Sequence, residues 1–368
     1  MKRPLVLCVA LFAFAMVIIR PLEASAQNGP LKVALAGLSH DHVYLLMQHY
    51  KKGEVNIVGI AESDPILINK FKKNYHLEDS LFYKDLPTLL KHKKPEVVMA
   101  FDPNSAHFSV VQVCAPLHVD VMVEKPLAIT VEDAEKIVSL AAKYHIQVLT
   151  DYETSWYASN LNLYHQVKAD QVGGIRKMVA HDGHQGPKEI GCSPEFLRWL
   201  TDPKTNGAGA LFDFGCYGAN LMTWLMDGKA PSAVYATTRH IKPDVYPKVE
   251  DDATIVLDYP KATGIIEASW NWPFNIKDLE VFGKTGYLQA VDPNTIRERK
   301  GKDPAFNIKK LEAPGTPYQN YVAYVTAVLR GQLKPGNDLS SLQNNLIVVK
   351  ILSAARQSAK EGRKIPLN

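Results

Sequence analysis

Residues 121–126 read Val121-Met122-Val123-Glu124-Lys125-Pro126, an apolar run that stops at a charged pair and a proline. Such a run reads as a buried strand. In an open α/β sheet, the carboxyl edge of a buried strand is where ligands bind. Lys125 would then stand at a binding edge, although Lys-Pro is also a common surface turn, and the flanking sequence decides between the two. Further β-type runs cover 31–36, 55–60, 96–100 and 146–150, with the run through 120–123 fourth in order. Helical patterns fill the gaps. Asp64-Pro65 has the form of an N-cap followed by proline at the first helical position. Thr130-Val131-Glu132-Asp133 resembles a capping box, and Ala134, Ile137, Val138 and Ala141 then share one helix face. Strand–helix alternation of this kind predicts a parallel sheet wound on both sides, which places Lys125 at its edge.

The chain has 368 residues, 46% of them hydrophobic, enough for two domains. Lys2 and Arg3, an apolar stretch over 5–19 and Ala24-Ser25-Ala26 have the layout of a secretory signal cleaved after Ala26. That stretch is shorter than the roughly 20 residues a membrane span needs, so no span is expected after processing. Cys8 lies inside it, where a lipid-anchored cysteine would not be, and no twin-arginine pair precedes it. The expectation is a Sec-type leader at 1–26 on an exported, periplasmic protein. Removing the leader takes away three cations and one anion and moves the formal charge from +4 to +2. No basic block interleaves with aromatics, so nucleic acid is not an expected partner. Cys114, Cys192 and Cys216 show no C-x-x-C spacing and define neither a disulfide framework nor a zinc knuckle.

Gly37 directly follows the first predicted strand, where a dinucleotide-binding turn needs a glycine. The full pattern, G-x-G-x-x-G, lets the backbone approach a pyrophosphate at a helix amino end. Here the loop is Gly37-Leu38-Ser39-His40-Asp41-His42. One glycine survives, Ser39 is small enough for close approach, His42 is bulky, and Asp41 would repel phosphate if it turned inward. A plain strand–helix turn is the competing reading of Gly37. Glu62 ends the second run 25 residues later, roughly where an acid holds a ribose 2′-hydroxyl and repels a 2′-phosphate, favouring NAD over NADP. Asp102, Asn104 and His107 follow the third run and can cover the nicotinamide side of a dinucleotide, or simply open a helix. The candidate cofactor-binding set is Gly37, Ser39, His40, Glu62, Asp102, Asn104, His107, Glu124 and Lys125.

After residue 151 the texture changes. Runs over 175–181, 233–238, 253–259, 263–270 and 279–282, separated by turns, predict a mostly antiparallel sheet, and helical patterns at 318–329 and 342–360 close the chain. Residues 207–217, Gly207-Ala208-Gly209-Ala210-Leu211-Phe212-Asp213-Phe214-Gly215-Cys216-Tyr217, join a loop to a helix. Asp213 and Tyr217 are four apart and would share a helix face. A carboxylate beside a phenol can relay a proton; ring packing and helix capping are the alternative. His184, in His181-Asp182-Gly183-His184, is a candidate acid or base. His181 and His184 lack a defined third ligand, so no metal is assigned. Arg198 and Trp199 can wall the same pocket.

Lys125 in Glu124-Lys125-Pro126, the Gly-x-Gly-x-Leu-x-Asp-x-Gly segment at 207–215 and Trp270 closing a late strand together resemble the Gfo/Idh/MocA oxidoreductase family over residues 31–368. The resemblance implies an α/β protein with an amino-terminal Rossmann domain at 27–150. A carboxy-terminal α+β domain at 151–368 would follow, its open, mostly antiparallel sheet building homo-oligomers and its last helix packing back on the first domain. It implies tightly held NAD and a small-molecule carbohydrate substrate. Position by position, Lys125 would contact nicotinamide ribose and the substrate hydroxyl, and Asp213 would orient the substrate. Tyr217 falls where most members carry a His base, while members similar to glucose–fructose oxidoreductase also carry Tyr there. A free phenol titrates near ~10, and the neighbouring Lys125 is expected to lower that value. Three functions stay open. The first is NAD-dependent oxidoreduction at a sugar carbinol. The second is a redox-neutral, NAD-dependent glycoside hydrolase working through transient C3 oxidation and elimination, with His184 or Tyr217 as the extra acid or base. The third is non-catalytic periplasmic sugar binding.

Overall fold

A computed structural model describes residues 29–367; the predicted leader at 1–26 lies outside the described residues. The first half runs β1 (Leu31–Ala36), α1 (Val43–Lys51), β2 (Val55–Ala61), α2 (Pro65–Tyr75), β3 (Phe82–Tyr83), α3 (Leu86–His92), β4 (Val97–Ala100), α4 (His107–Cys114), β5 (Asp120–Glu124), α5 (Val131–Tyr144) and β6 (Val148–Asp151). Its six strands are parallel, in the order β3-β2-β1-β4-β5-β6. The direction of winding reverses between β1 and β4, the switch point at which such sheets take their ligand. Both faces of the sheet are covered. Val33, Leu35 and Met99 belong to one core, and Ala34, Ala36 and Val98 to the other. Double burial is why these strands are near-continuous apolar runs in sequence. The predicted caps form: Asp64 accepts from Ile66 N at 2.8 Å ahead of Pro65, and Thr130 accepts from Asp133 N at 3.1 Å.

The second half follows α6 (Ala158–Lys168) with β7 (Ile175–Gly183) and then four helices, α7 (Pro194–Leu200), α8 (Pro203–Asn206), α9 (Ala210–Asp213) and α10 (Gly215–Leu225). The strands β8 (Ala233–Arg239), β9 (Asp252–Tyr259), β10 (Ala262–Ser269), β11 (Ile276–Gly283), β12 (Gly286–Asp292), β13 (Thr295–Lys300) and β14 (Asn307–Lys310) come next. Helices α11 (Tyr321–Leu329) and α12 (Leu342–Glu361) and strand β15 (Ile365–Pro366) end the chain. The nine-stranded sheet has the order β14-β13-β12-β11-β7-β10-β9-β8-β15 and is antiparallel except where β10 runs parallel to β7. Along β7, Met178, Ala180 and Asp182 face the buried side, while Val179 and His181 face the open side. Strands β12 to β15 go beyond the five predicted, because β13 and β14 are charged or exposed at most positions and carry no apolar run.

Helix α10 is buried along its whole length against this sheet. Gly218 makes that possible, since a Cβ there would lie 2.7 Å from Ile266 Cγ2. Two late helices tie the halves together. Tyr321, Val322 and Val325 of α11 join the core of the first sheet with Leu35 and Met99, and α12 packs on both α10 and α5. Among the described residues, no helix is long and apolar enough to cross a membrane, and Cys114, Cys192 and Cys216 are free thiols.

Candidate active site

The site grows from the carboxyl ends of β1, β2, β4, β5 and β6. Strand β1 ends in Gly37, at φ +76°, and a Cβ there would sit 1.8 Å from Asp102 Oδ1. Only glycine fits both the backbone and the space. Glu62, at the end of β2, turns its carboxylate back onto this loop and accepts from Leu38 N at 3.0 Å and from Ser63 N and Asp64 N at 2.8 Å. It is thereby fixed at the mouth of a cavity of about 260 Å³ that also has Ala61, Ser63, Lys84, Pro87 and Asp102 in its wall. Burial, and then Glu62, push Asp102 up to about 7.

These features fit the adenosine half of a dinucleotide: a close-approach glycine, an immobilised carboxylate and a cavity at the switch point. The loop's two difficult residues are turned to other partners. Asp41 accepts from Ser193 N at 2.9 Å, and His42 places Nδ1 3.0 Å from Glu124 Oε2. Trp199 of α7 donates from Nε1 to Ser39 O at 3.3 Å, so the second half closes over the glycine loop.

Three of the residues expected to contact the cofactor also have protein partners, while Asn104 Oδ1 and His107 Nε2 have no hydrogen-bond partner among the described residues. His40 lies beneath Phe196 and Trp199, ring centroids 4.7 and 5.4 Å away. Asn104 donates to Asn206 Oδ1 at 2.8 Å, joining the sheet edge to α8. His107 is buried with Nδ1 3.1 Å from Pro126 O and is held down at about 4 by burial. A polar loop at a sheet edge has the same composition whether it faces a ligand or grips a second domain, so sequence could not separate the two roles.

At the other end of the crevice Lys125 leaves β5 and meets α9. It is buried and bonded to Asp213 Oδ1, and it donates also to Asp213 O at 3.0 Å. Trp270 Nε1 donates to Asp213 Oδ2 at 2.9 Å, so both carboxylate oxygens are held. Burial works against the charge on each partner, but their mutual attraction wins: Lys125 rises to about 12 and Asp213 falls below the usual carboxylate range. The pair is ionised at neutral pH.

Tyr217 departs from expectation. Its ring lies 5.2 Å from Lys125 Nζ, yet burial pushes the phenol well above its ordinary value. The ammonium faces the ring, and desolvation of the phenolate outweighs its attraction. Tyr217 therefore keeps its proton and is a donor. His184 packs edge-on against Phe214, ring centroids 4.8 Å apart, and burial lowers it to about 4. Its Nδ1 accepts from Gly186 N at 2.9 Å, which puts the proton of the neutral ring on Nε2.

His181 and His184 do not meet, since His181 sits on the open face of β7 with Nδ1 2.7 Å from Asp278 Oδ1. Among the described residues, His40, His42 and Glu124 approach closely enough to share a cation. His40 Nδ1, however, accepts from His42 N at 3.1 Å, so its proton stays on Nε2, the atom 3.8 Å from Glu124 Oε2. A ligating nitrogen must be free of its proton, and no metal is assigned there.

Two residues near the site carried no signal in sequence. Glu153 stands in the turn after β6, and Lys277 on β11 pairs with it across the crevice. The strand was predicted only from residue 279 onward, and without the register of β11 on β7 nothing shows which way Lys277 points.

A doubly wound sheet with a cavity at its switch point, together with a buried lysine–aspartate pair reached from the second half, has the layout of a two-domain nicotinamide-dependent oxidoreductase. Residues 31–152 match the family model of the oxidoreductase family NAD-binding Rossmann fold, and residues 161–289 that of the GFO/IDH/MocA C-terminal domain. The chain belongs to the Gfo/Idh/MocA oxidoreductases. It is 21% identical over 340 residues to trans-1,2-dihydrobenzene-1,2-diol dehydrogenase of Sus scrofa, covering 89% of this chain and 95% of that protein. An inositol dehydrogenase homolog complexed with NAD+ from Azotobacter vinelandii matches with a TM-score of 0.80 at 18% identity, over 92% of this chain and 98% of that one. Aldose-aldose oxidoreductase from Caulobacter crescentus, complexed with glycerol, matches with a TM-score of 0.77 at 22% identity, over 92% and 100% of the two chains. The structural likenesses speak to the fold, and the family match carries the NAD-binding domain and the class of chemistry.

The position of Glu62 makes a prediction. In Glu62→Ala the affinity for NADP relative to NAD, measured by fluorescence titration, should rise about tenfold or more, the scale of one charge-assisted hydrogen bond of about 1.5 kcal/mol. An unchanged ratio would mean that Glu62 does not face the ribose.

Proposed function

We propose that the protein interconverts a carbinol and a carbonyl on a sugar or sugar derivative, using NAD. The observation that carries this reading is Lys125, ionised and bonded to Asp213 where the two sheets face each other. Bound NAD supplies the hydride acceptor or donor. The chain's own residues handle the oxygen. Two N–H groups of Lys125 are taken by Asp213, leaving the third for the substrate oxygen. Tyr217 and the Nε2–H of His184 are further donors near that point. This donor-rich inner site suits the negative charge that develops on oxygen during hydride transfer and supplies the proton in carbonyl reduction; in the oxidation direction the carbinol proton passes to solvent water.

Elimination of a glycoside would need in addition a base for a C–H proton. Tyr217 keeps its proton and His184 has its Nδ1 lone pair taken by Gly186, which favours simple hydride transfer over the hydrolase reading. The leader at 1–26 supports an exported enzyme. Free NAD is scarce outside the cytoplasm, so such an enzyme has to retain its cofactor through turnover. Phe282, Tyr287 and Ile308 stand on the open face of the nine-stranded sheet, with Phe282 and Ile308 exposed, which supports pairing of that face with a second copy.

The test is direct. Denatured mature protein should release NAD(H), and the intact enzyme given aldoses, inositols and their oxidised forms should change nicotinamide absorbance. Oxidation should speed up as pH rises and carbonyl reduction should slow, because the site holds its protons. Sugar release from glycosides with no net reduced cofactor would overturn this reading in favour of the hydrolase.

A further inference from the structure

A second ammonium–carboxylate pair lies beside the first. Lys277 on β11 is bonded to Glu153, whose other carboxylate oxygen accepts from Tyr157 OH at 2.6 Å. Lys277 Nζ is 4.6 Å from the centroid of the Tyr217 ring, and Lys125 Nζ is 5.2 Å from the same centroid. Both ammonium groups thus border the same ring. The Lys277 side chain is 10% exposed and that of Glu153 45%, so the pair is anchored at the ammonium and open at the carboxylate. Directly across from Lys277 on β7 is Asp182, only 1% exposed, with no hydrogen-bond partner for Oδ2 among the described residues. Nothing in the hydride-transfer scheme uses Lys277, Glu153 or Asp182.

We propose that Lys277 and Glu153 form a second substrate-binding pair, set beside Lys125 and Asp213 around Tyr217, and that it selects a neutral polyol over a sugar acid. The inference rests on the sugar oxidoreductase reading and names its substrate class. A hydroxyl both donates and accepts, and each pair offers one donor and one acceptor, so two pairs match two hydroxyls. A carboxylate only accepts. Set into this pocket it would find each lysine already neutralised by its own carboxylate and would gain no net charge attraction.

The experiment compares wild type, Lys277→Met, Lys277→Arg, Glu153→Gln and Lys277→Met/Glu153→Gln on NAD-loaded protein. Glucose, xylose and myo-inositol serve as neutral probes and glucuronate as the acid. NAD retention and thermal unfolding report on the fold. Lys277→Met should raise KM for the neutral probe that wild type uses by about tenfold or more while kcat moves by less than about threefold, the mark of a binding contact remote from the reacting atoms. Lys277→Arg should recover part of that loss. Glu153→Gln releases the charge of Lys277 and should shift kcat/KM toward glucuronate by about tenfold. If wild type turns over a neutral probe and KM is unchanged in Lys277→Met and in the double variant, the second pair does not bind substrate and the inference falls alone. Glucuronate preferred by wild type also overturns it. If wild type holds NAD yet turns over none of the neutral probes, the sugar reading falls and takes this inference with it.

Discussion

Lys125→Met should abolish turnover and, in the same protein, lower thermal stability. The first effect follows from the loss of the ammonium bonded to Asp213 at the point where hydride transfer is placed; a fall in kcat/KM of about a thousandfold or more is expected, the scale of one lost electrostatic donor at a reacting oxygen. The second follows from burial. Asp213 would keep the indole of Trp270 on Oδ2 but lose the ammonium on Oδ1. Breaking a buried pair by removing one partner costs about 3–5 kcal/mol, so the unfolding temperature should drop by several degrees. Lys125→Met/Asp213→Asn separates the two effects. Removing both charges should restore most of the stability, while turnover stays absent. Calorimetry or dye-monitored melting reads the first, and nicotinamide absorbance with the preferred sugar reads the second. Full turnover in Lys125→Met would remove this lysine from the chemistry altogether.

The same pair shows where sequence stops being informative. Lys125 was legible because β5 is buried on both faces: the apolar run Val121–Val123 followed by a charged pair reads as a strand end at a sheet edge once the flanking strand–helix alternation is taken with it. Asp64 and Thr130 were legible as caps because a cap is a local event, settled within three residues. The protonation of Tyr217 was not, since it depends on desolvation by elements far away in sequence. A lysine nearby in the chain's logic said only that attraction exists, not that burial exceeds it. His40, Asn104 and His107 read as ligand contacts because polar residues at a sheet edge imply a polar partner, and each has protein neighbours that sequence did not show: Phe196 and Trp199, Asn206, and Pro126. Lys277 is the converse case. The predicted run begins only at residue 279, and only pairing with β7 shows that Lys277 shares a face with Asp182.

Gly37→Ala should abolish retention of NAD, and the way it fails separates backbone strain from collision. At φ +76° an alanine is disfavoured by roughly 1 kcal/mol, too little on its own to empty a tight site. The collision is larger. The new methyl would fall 1.8 Å from Asp102 Oδ1 and 2.4 Å from its Cγ, so either the loop lifts off the sheet edge or Asp102 leaves its place beside Glu62. If the loop lifts, Leu38 N parts from Glu62, and the carboxylate at the cavity mouth loses one of its three backbone donors. Affinity for NAD should fall by about a hundredfold or more, since both the close approach and the ribose contact are disturbed. Adding Asp102→Ala to Gly37→Ala removes the colliding carboxyl and leaves the strain and a tight 3.1 Å approach to the Cα of residue 102. That double variant should regain NAD binding to within about tenfold of Asp102→Ala alone, as judged by fluorescence titration and by NAD released on denaturation. If it binds no better than Gly37→Ala, the glycine serves the backbone conformation alone and Asp102 plays no part in shaping the turn. If Gly37→Ala itself holds NAD as wild type does, the dinucleotide does not run past this loop, and the site at the switch point has to be placed elsewhere.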